Sequence, residues 1–498
     1  MTRVKKLKLN MITSIIYQIA SIVSAFILPR YFLQYYGSEV NGLLSSITQF
    51  LAVISLCECG VGAVVQATLY KPIADNDERE ISKIYRSSTN FFNKIAILLI
   101  FYTIVLLLLY PRLVDNSFNA YYTGVLIIAV SISLLAQYYF AITDKLILNA
   151  AQLFYVQMIV GTISIVLNVI FSIILMRVGM SIQTVKLVAS SIFVFQPLVY
   201  KFAVNKYFVI DKKIVLNEEP IKQKWNGLAQ HIATVILENT DVLVLTLFSS
   251  LMNVSIYSVY HMVTNGIKLF LTSLANSVKS VFGDMYAKNE IKQLNSTFSK
   301  FEWLFHTMVT LIYSICAVLI VPFISVYTDK VADTNYILPQ FGIVMCIAMA
   351  LYCIRLPYNQ MITAAGHFKQ TQNSAIIEAT INLTVSIMVV YKFGLIGVAF
   401  GTLVAVFYRT VYFTVYLSRN ILKRNMIIFV KYCIKDSLLA IVIYSSTLWL
   451  KMTDTSYFAW IILALKVTII AFIEVVIMTM LLDRKRFWNC FKNLKSKT

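Results

Sequence analysis

Residues able to ionise or to hold an anion recur at helical spacing inside apolar sequence. In HIATVILENTDVLVLTLF, His231, Thr234, Glu238 and Asp241 follow steps of 3, 4 and 3, which places them on one helix face. Further on, His261, Asn265, Lys268, Thr272, Asn276 and Lys279 follow steps of 4, 3, 4, 4 and 3, a second and cationic stripe, and Ser55, Glu58 and Gly62 make a shorter one. Arg30 follows Pro29, Arg355 stands beside Pro357, and Arg409 and Glu378 interrupt two more apolar runs. Lys268, Lys279, Arg355, Arg409 and Arg30, with the amides of Asn265 and Asn276, suit a phosphate or pyrophosphate group, since cationic donors pair strongly with its oxygens. The acids Glu238, Asp241, Glu58 and Glu378 suit a coupling H+ or Na+, or charge pairing with those cations. Blander roles compete. Arg30 and Lys279 can snorkel to an interface, Arg355 can satisfy carbonyls freed at Pro357, the Asn and Thr residues can be helix-packing contacts, and Glu238, Asp241 and Lys268 can form a structural ion pair.

The elements that must position these groups follow from composition. Of 498 residues, 59% are hydrophobic and 13% charged, the make-up of a membrane protein. About 20 apolar residues span the hydrocarbon as a helix, and cutting at charged or Pro-bearing joints yields fourteen candidate spans, from 10–35 to 458–482. The two stripes fall on the seventh (227–249) and eighth (254–283), Arg355 on the tenth (336–363), Glu378 on the eleventh (373–391) and Arg409 on the twelfth (396–417). The expected fold class is therefore all-α and polytopic, with 14 transmembrane helices. MTRVKKLKLN leads into an apolar run longer than a signal-peptide core and reads as a retained first span. With both termini inside, Lys and Arg concentrate in the inner joints, as the positive-inside rule requires. The formal charge of +20 then faces an anionic inner leaflet and is no argument for nucleic acid.

Several functions are disfavoured. The outer joints are too short for an external catalytic domain, no G-x-x-x-x-G-K-[ST] motif is present, and the four histidines are far apart in sequence, so an enzyme is not expected. Cys57-Glu58-Cys59-Gly60 looks like a ligand motif, but on a helix residues two apart face different ways, so no metal is expected. The expected cofactor is none, apart from H+ or Na+ as a coupling ion.

The chain also carries a weak internal repeat. An offset of 214 aligns NAAQLF (149–154) with TAAGHF (363–368) and Asn168 with Asn382, and an offset of 216 aligns Asn10 with Asn226 and Leu69-Tyr70 with Met285-Tyr286. Six spans per copy is an even number, so the copies are parallel repeats. The expected organisation is a first six-helix bundle over 1–208, a cytoplasmic linker over 209–226, a second bundle over 227–420, and an extra helix pair with a basic tail over 421–498.

The segment LPRYFLQYYGSEVNGLLSSITQFLAVISLCECGVG (28–62), followed by LYKPIADNDEREISKIY (69–85), resembles the polysaccharide-exporter branch of the multidrug/oligosaccharidyl-lipid/polysaccharide flippase superfamily, and within it the O-antigen flippases of the Wzx type. Tyr36-Gly37-x-Glu39-x-Asn41-Gly42 and Leu69-Tyr70-Lys71-Pro72 carry the likeness most specifically. The resemblance implies a V-shaped pair of six-helix bundles around a central cationic cavity in the bacterial inner membrane. It implies alternating-access transport of undecaprenyl-diphosphate-linked oligosaccharide for O-antigen or capsule, coupled to a cation. The implied partners are that lipid-linked substrate, membrane lipids, a polysaccharide polymerase and a chain-length regulator. Three rivals stay open: a multidrug/cation antiporter of the same superfamily, with an acidic cavity; a membrane-embedded transferase, with clustered catalytic His and Asp; and a non-transporting scaffold.

Overall fold

A computed structural model describes residues 3–58, 61–114, 118–211, 214 and 228–484. Cys59, Gly60, nearly all of the expected linker 209–226 and the basic tail from 485 lie outside the described residues, as do the side chains of Glu58 and His231.

Among the described residues the chain is helical throughout, without strands. It divides into two compact units, Met1–Ser255 and Ile256–Thr498. The first holds α1 (Arg3–Ala52), a 3-10 turn (Val53–Glu58), α2 (Val61–Asp75), α3 (Glu78–Leu113), α4 (Ala120–Ala136), a π-helical turn (Gln137–Ala141), α5 (Ile142–Ala150), α6 (Phe154–Arg177), α7 (Ile182–Tyr207) and α8 (Leu228–Phe248). There α1 packs on α6, and α7 packs on both α4 and α6. The second unit takes over within α9 (Leu251–Asn276) and continues through α10 (Lys279–Ala287), α11 (Ile291–Tyr327), α12 (Pro339–Ile354), α13 (Leu356–Ala364), α14 (Phe368–Asn420), α15 (Ile427–Thr447) and α16 (Tyr457–Leu482). Here α12 packs on α11 and α14, and α15 and α16 both lie against α11.

Nine helical stretches among the described residues are long and apolar enough to cross a membrane. Their outward faces confirm which solvent they suit. Ile97, Phe101 and Leu108 on α3, and Leu465, Ile469 and Phe472 on α16, are exposed, a pattern costly in water and natural in lipid. Inside, buried Ser and Thr hydroxyls bond back to carbonyls one turn earlier, as Thr103 does to Leu99 and Thr414 to Thr410, which leaves few polar atoms for the hydrocarbon.

Two glycines divide the longest runs. Gly37 (φ 82) in α1 and Gly394 (φ 51) in α14 take left-handed backbone that a side chain disfavours. After Gly394 the second arm of α14 returns along the first. A Cβ on Gly397 would lie 2.7 Å from the carbonyl oxygen of Val389, and one on Gly401 2.2 Å from Ser386 Oγ. Two bare backbones four residues apart permit this approach, and Asn382 Nδ2 closes it by donating to Thr402 Oγ1 at 2.9 Å.

One helix interruption recurs at an offset found in the sequence. Arg355, between α12 and α13, is offset by 214 from Ala141, which ends the π-helical turn between α4 and α5. By compactness the first unit runs on to Ser255 and so takes in α8 and the start of α9. In the first unit, α8 packs on α1 and the 3-10 turn. Thr246 donates to Ser46 Oγ at 2.8 Å, and Tyr110 donates to the same oxygen at 2.6 Å. The absence of a side chain on Gly42 lets the backbone of Leu251 come so near that a Cβ there would lie 1.8 Å from its carbonyl oxygen.

Candidate functional site

Three of the expected cations meet in the second unit. Arg355 stands at the joint of α12 and α13, where Pro357, lacking an N–H, restarts the helix. Glu378 lies on the first arm of α14 and Arg409 on the second, so the return at Gly394 brings together residues 31 apart in sequence. One carboxylate oxygen of Glu378 accepts from Arg355 and the other from Arg409. All three are almost wholly buried, at 5%, 1% and 4% exposure. Aromatic faces complete the setting. The Arg355 guanidinium lies 4.5 Å from the Tyr352 ring centre, Arg409 4.8 Å from that of Phe413, and Lys268 on α9 5.1 Å from that of Tyr352.

The arrangement departs from the sequence reading in one respect. Arg355 and Arg409 are not open cations, because Glu378 pairs with both of them, so of its two expected roles the structure displays charge pairing. Arg355 and Arg409 share that one acid. Among the described residues the Nε–H of Arg409 has no hydrogen-bond partner, and an unsatisfied donor on a buried charged group is costly unless a ligand or water takes it. Lys268 is half-buried.

The other expected residues are placed differently. Asn276 accepts a hydrogen bond from Gln360 Nε2 at 2.8 Å, tying the end of α9 to α13. Asn265 is half-buried on α9, and Lys279 is exposed at the start of α10. Arg30 belongs to α1 in the first unit. On α8, also in the first unit, the stripe splits, with Asp241 buried at 4% exposure and Glu238 exposed. Glu58 ends the 3-10 turn. Among the described residues no group of three or more His, Cys, Asp or Glu is arranged to hold a metal.

Two buried polar hubs went unnoticed in the sequence. In the first unit Asp144, 1% exposed, accepts from Tyr85 at 2.8 Å, and Lys201 lies 3.6 Å from it. In the second unit Glu302 accepts both Arg424 nitrogens and the hydroxyl of Tyr358, and Tyr358 meets His306, which meets Asp436. Glu302 and His306, four apart on α11, were a detectable signal, since that spacing shares a helix face. Their partners come from other helices and carry none. His306 is therefore not an isolated histidine.

No family model matches the sequence, and no curated protein matches it. Solved structures do. A lipid II flippase, MurJ, in an inward closed conformation aligns over 96% of this chain and 99% of its own, with a TM-score of 0.71 and 17% identity. An outward-facing multidrug resistance MATE family transporter of the MOP superfamily aligns over 82% and 95%, with a TM-score of 0.58 and 13% identity. The Vibrio cholerae MATE transporter VcmN in its bent form aligns over 83% and 97%, with a TM-score of 0.55 and 11% identity. At these identities the likeness is one of architecture, and the chain has the all-α polytopic membrane fold shared by the MurJ lipid II flippase and the MATE transporters.

Proposed function

We propose that this chain is an alternating-access flippase for undecaprenyl-diphosphate-linked oligosaccharide, an O-antigen or capsule repeat unit, in the bacterial inner membrane. Its fourteen spans leave both termini cytoplasmic. The observation that carries the substrate class is that buried Arg355 and Arg409 share the one carboxylate of Glu378, with Lys268 against the same Tyr352 ring as Arg355 and, among the described residues, an Arg409 Nε–H without a hydrogen-bond partner. Two buried guanidinium groups sharing one carboxylate suit a diphosphate and oppose a cationic drug, which an acidic cavity would favour. The likeness to a lipid II flippase supports a lipid-borne substrate.

In this reading Lys268 makes first contact with the diphosphate, Arg355 and Arg409 hold it, and Lys279 steers it. Asp241, Glu238 and Glu58 bind or tune the coupling cation. A polymerase and a chain-length regulator would receive the glycan. The test is a flipping assay in proteoliposomes with a fluorescent undecaprenyl-diphosphate oligosaccharide. Losing one charge-assisted contact of about 1.5–3 kcal/mol corresponds to roughly 10- to 150-fold in affinity. Lys268→Ala should therefore cut initial rates at least tenfold at subsaturating substrate, with folding intact. Unchanged rates and binding in the well-folded variant overturn the assignment.

A further inference from the structure

The second hub, in the second unit, holds a proton that hydrogen-bond accounting makes countable. Glu302 is fully buried and gripped by Arg424 through both oxygens, one bond at 2.7 Å, so it is an ionised acceptor. Tyr358 has one hydroxyl proton and donates it to Glu302 Oε1 at 2.7 Å. Its oxygen must then accept from His306 Nε2, 3.0 Å away. On the other side of the ring, Nδ1 lies 2.6 Å from Asp436 Oδ2. With Nε2 a donor, that short contact requires a proton as well. Either His306 is doubly protonated beside an ionised Asp436, or a neutral His306 accepts from a protonated Asp436. In both cases the pair holds one proton more than neutral imidazole plus carboxylate.

We infer that His306 and Asp436 together form a buried proton-binding site whose one exchangeable proton sets which residue of α11, Glu302 or His306, the Tyr358 hydroxyl of α13 donates to. When the proton leaves to water, Nδ1–H remains on Asp436 and Nε2 keeps a lone pair. The Tyr358 hydroxyl then rotates to donate to Nε2, and Glu302 loses that bond while Arg424 stays. No covalent bond other than N–H or O–H changes. The groups facing the site are Glu302 on α11, Tyr358 on α13, Arg424 in the α14–α15 connection, and Tyr432, Cys433 and Asp436 on α15. Alongside them, Lys435 and Trp303 both bond Asp483, after α16. A cavity of about 440 Å³ lined by Lys431, Tyr432, Lys435 and Asp483 lies nearby, and its Tyr432 ring centre is 5.1 Å from that of His306, so exchange with water would pass by Tyr432. This inference does not depend on the transported substrate.

Infrared difference spectra of the full chain in lipid nanodiscs, recorded between acidic and alkaline buffer, test it. The wild type should lose an imidazolium or carboxylic-acid band and, with it, shift a tyrosine C–O band as the hydroxyl changes partner. In Asp436→Asn the amide donates to Nδ1 of neutral His306 and keeps every other bond, so both changes should vanish while the melting temperature holds. His306→Gln should remove the same two changes, and Tyr358→Phe the tyrosine shift alone. Persistence of the tyrosine shift in a folded Asp436→Asn or His306→Gln protein overturns the proposal. Should neither fold, its persistence in Tyr358→Phe, which loses only a hydroxyl, overturns it equally.

Discussion

Removing the acid at the centre of the cationic cluster separates a structural triad from a ligand site. Glu378→Gln keeps shape and one acceptor but discharges the group that pairs Arg355 and Arg409, all three buried to about 95% or more. Leaving a buried charge without its partner costs about 3–5 kcal/mol, and for a unit of this size about 1 kcal/mol moves the melting temperature by about 2–4 °C. The variant should therefore melt roughly 6 °C or more below the wild type in detergent. The same change removes one negative charge from the cluster. At about 6 Å and an effective dielectric near 20, that is worth on the order of 3 kcal/mol toward an anion, roughly a hundredfold in affinity. Millimolar inorganic pyrophosphate, as the probe, should thus raise the melting temperature of Glu378→Gln much more than that of the wild type. Double replacement with Arg409→Met should abolish the difference. If pyrophosphate stabilises both proteins equally or neither, the cluster is a structural ion triad and the diphosphate assignment fails. If Glu378→Gln alone leaves the melting temperature untouched, the pairing itself is unimportant.

Two further outcomes follow from packing. Gly401→Val places a side chain where a Cβ already lies 2.2 Å from Ser386 Oγ and 2.9 Å from its backbone nitrogen. It should force the arms of α14 apart, cost more than about 3 kcal/mol, and weaken pyrophosphate binding by misplacing Arg409 against Glu378; wild-type stability by thermal unfolding would refute that packing. Asp144→Asn removes the charge that Lys201 approaches at 3.6 Å and weakens the bond from Tyr85. A loss of about 3–5 kcal/mol is expected, whereas a change below about 0.5 kcal/mol would mean that water already screens the hub.

Composition and periodicity by themselves determined the solvent, and with it most of the architecture. A chain whose apolar runs match the bilayer can only be helical there, because each backbone group must bond within its own segment. The same economy made polar stripes conspicuous, and Lys268, Arg355, Glu378 and Arg409 stood out because charge in hydrocarbon needs a cause. Pairing is a property of helix contacts and was not legible. That Glu378 binds two arginines depends on Gly394 turning α14 back and on Gly397 and Gly401 letting its arms touch. That Glu302 and His306 belong to a five-membered hub depends on Tyr358, Arg424 and Asp436 arriving from elsewhere in the chain. Sequence alone names the residues that cannot be left in lipid without a partner, and tertiary packing chooses which partner each one has.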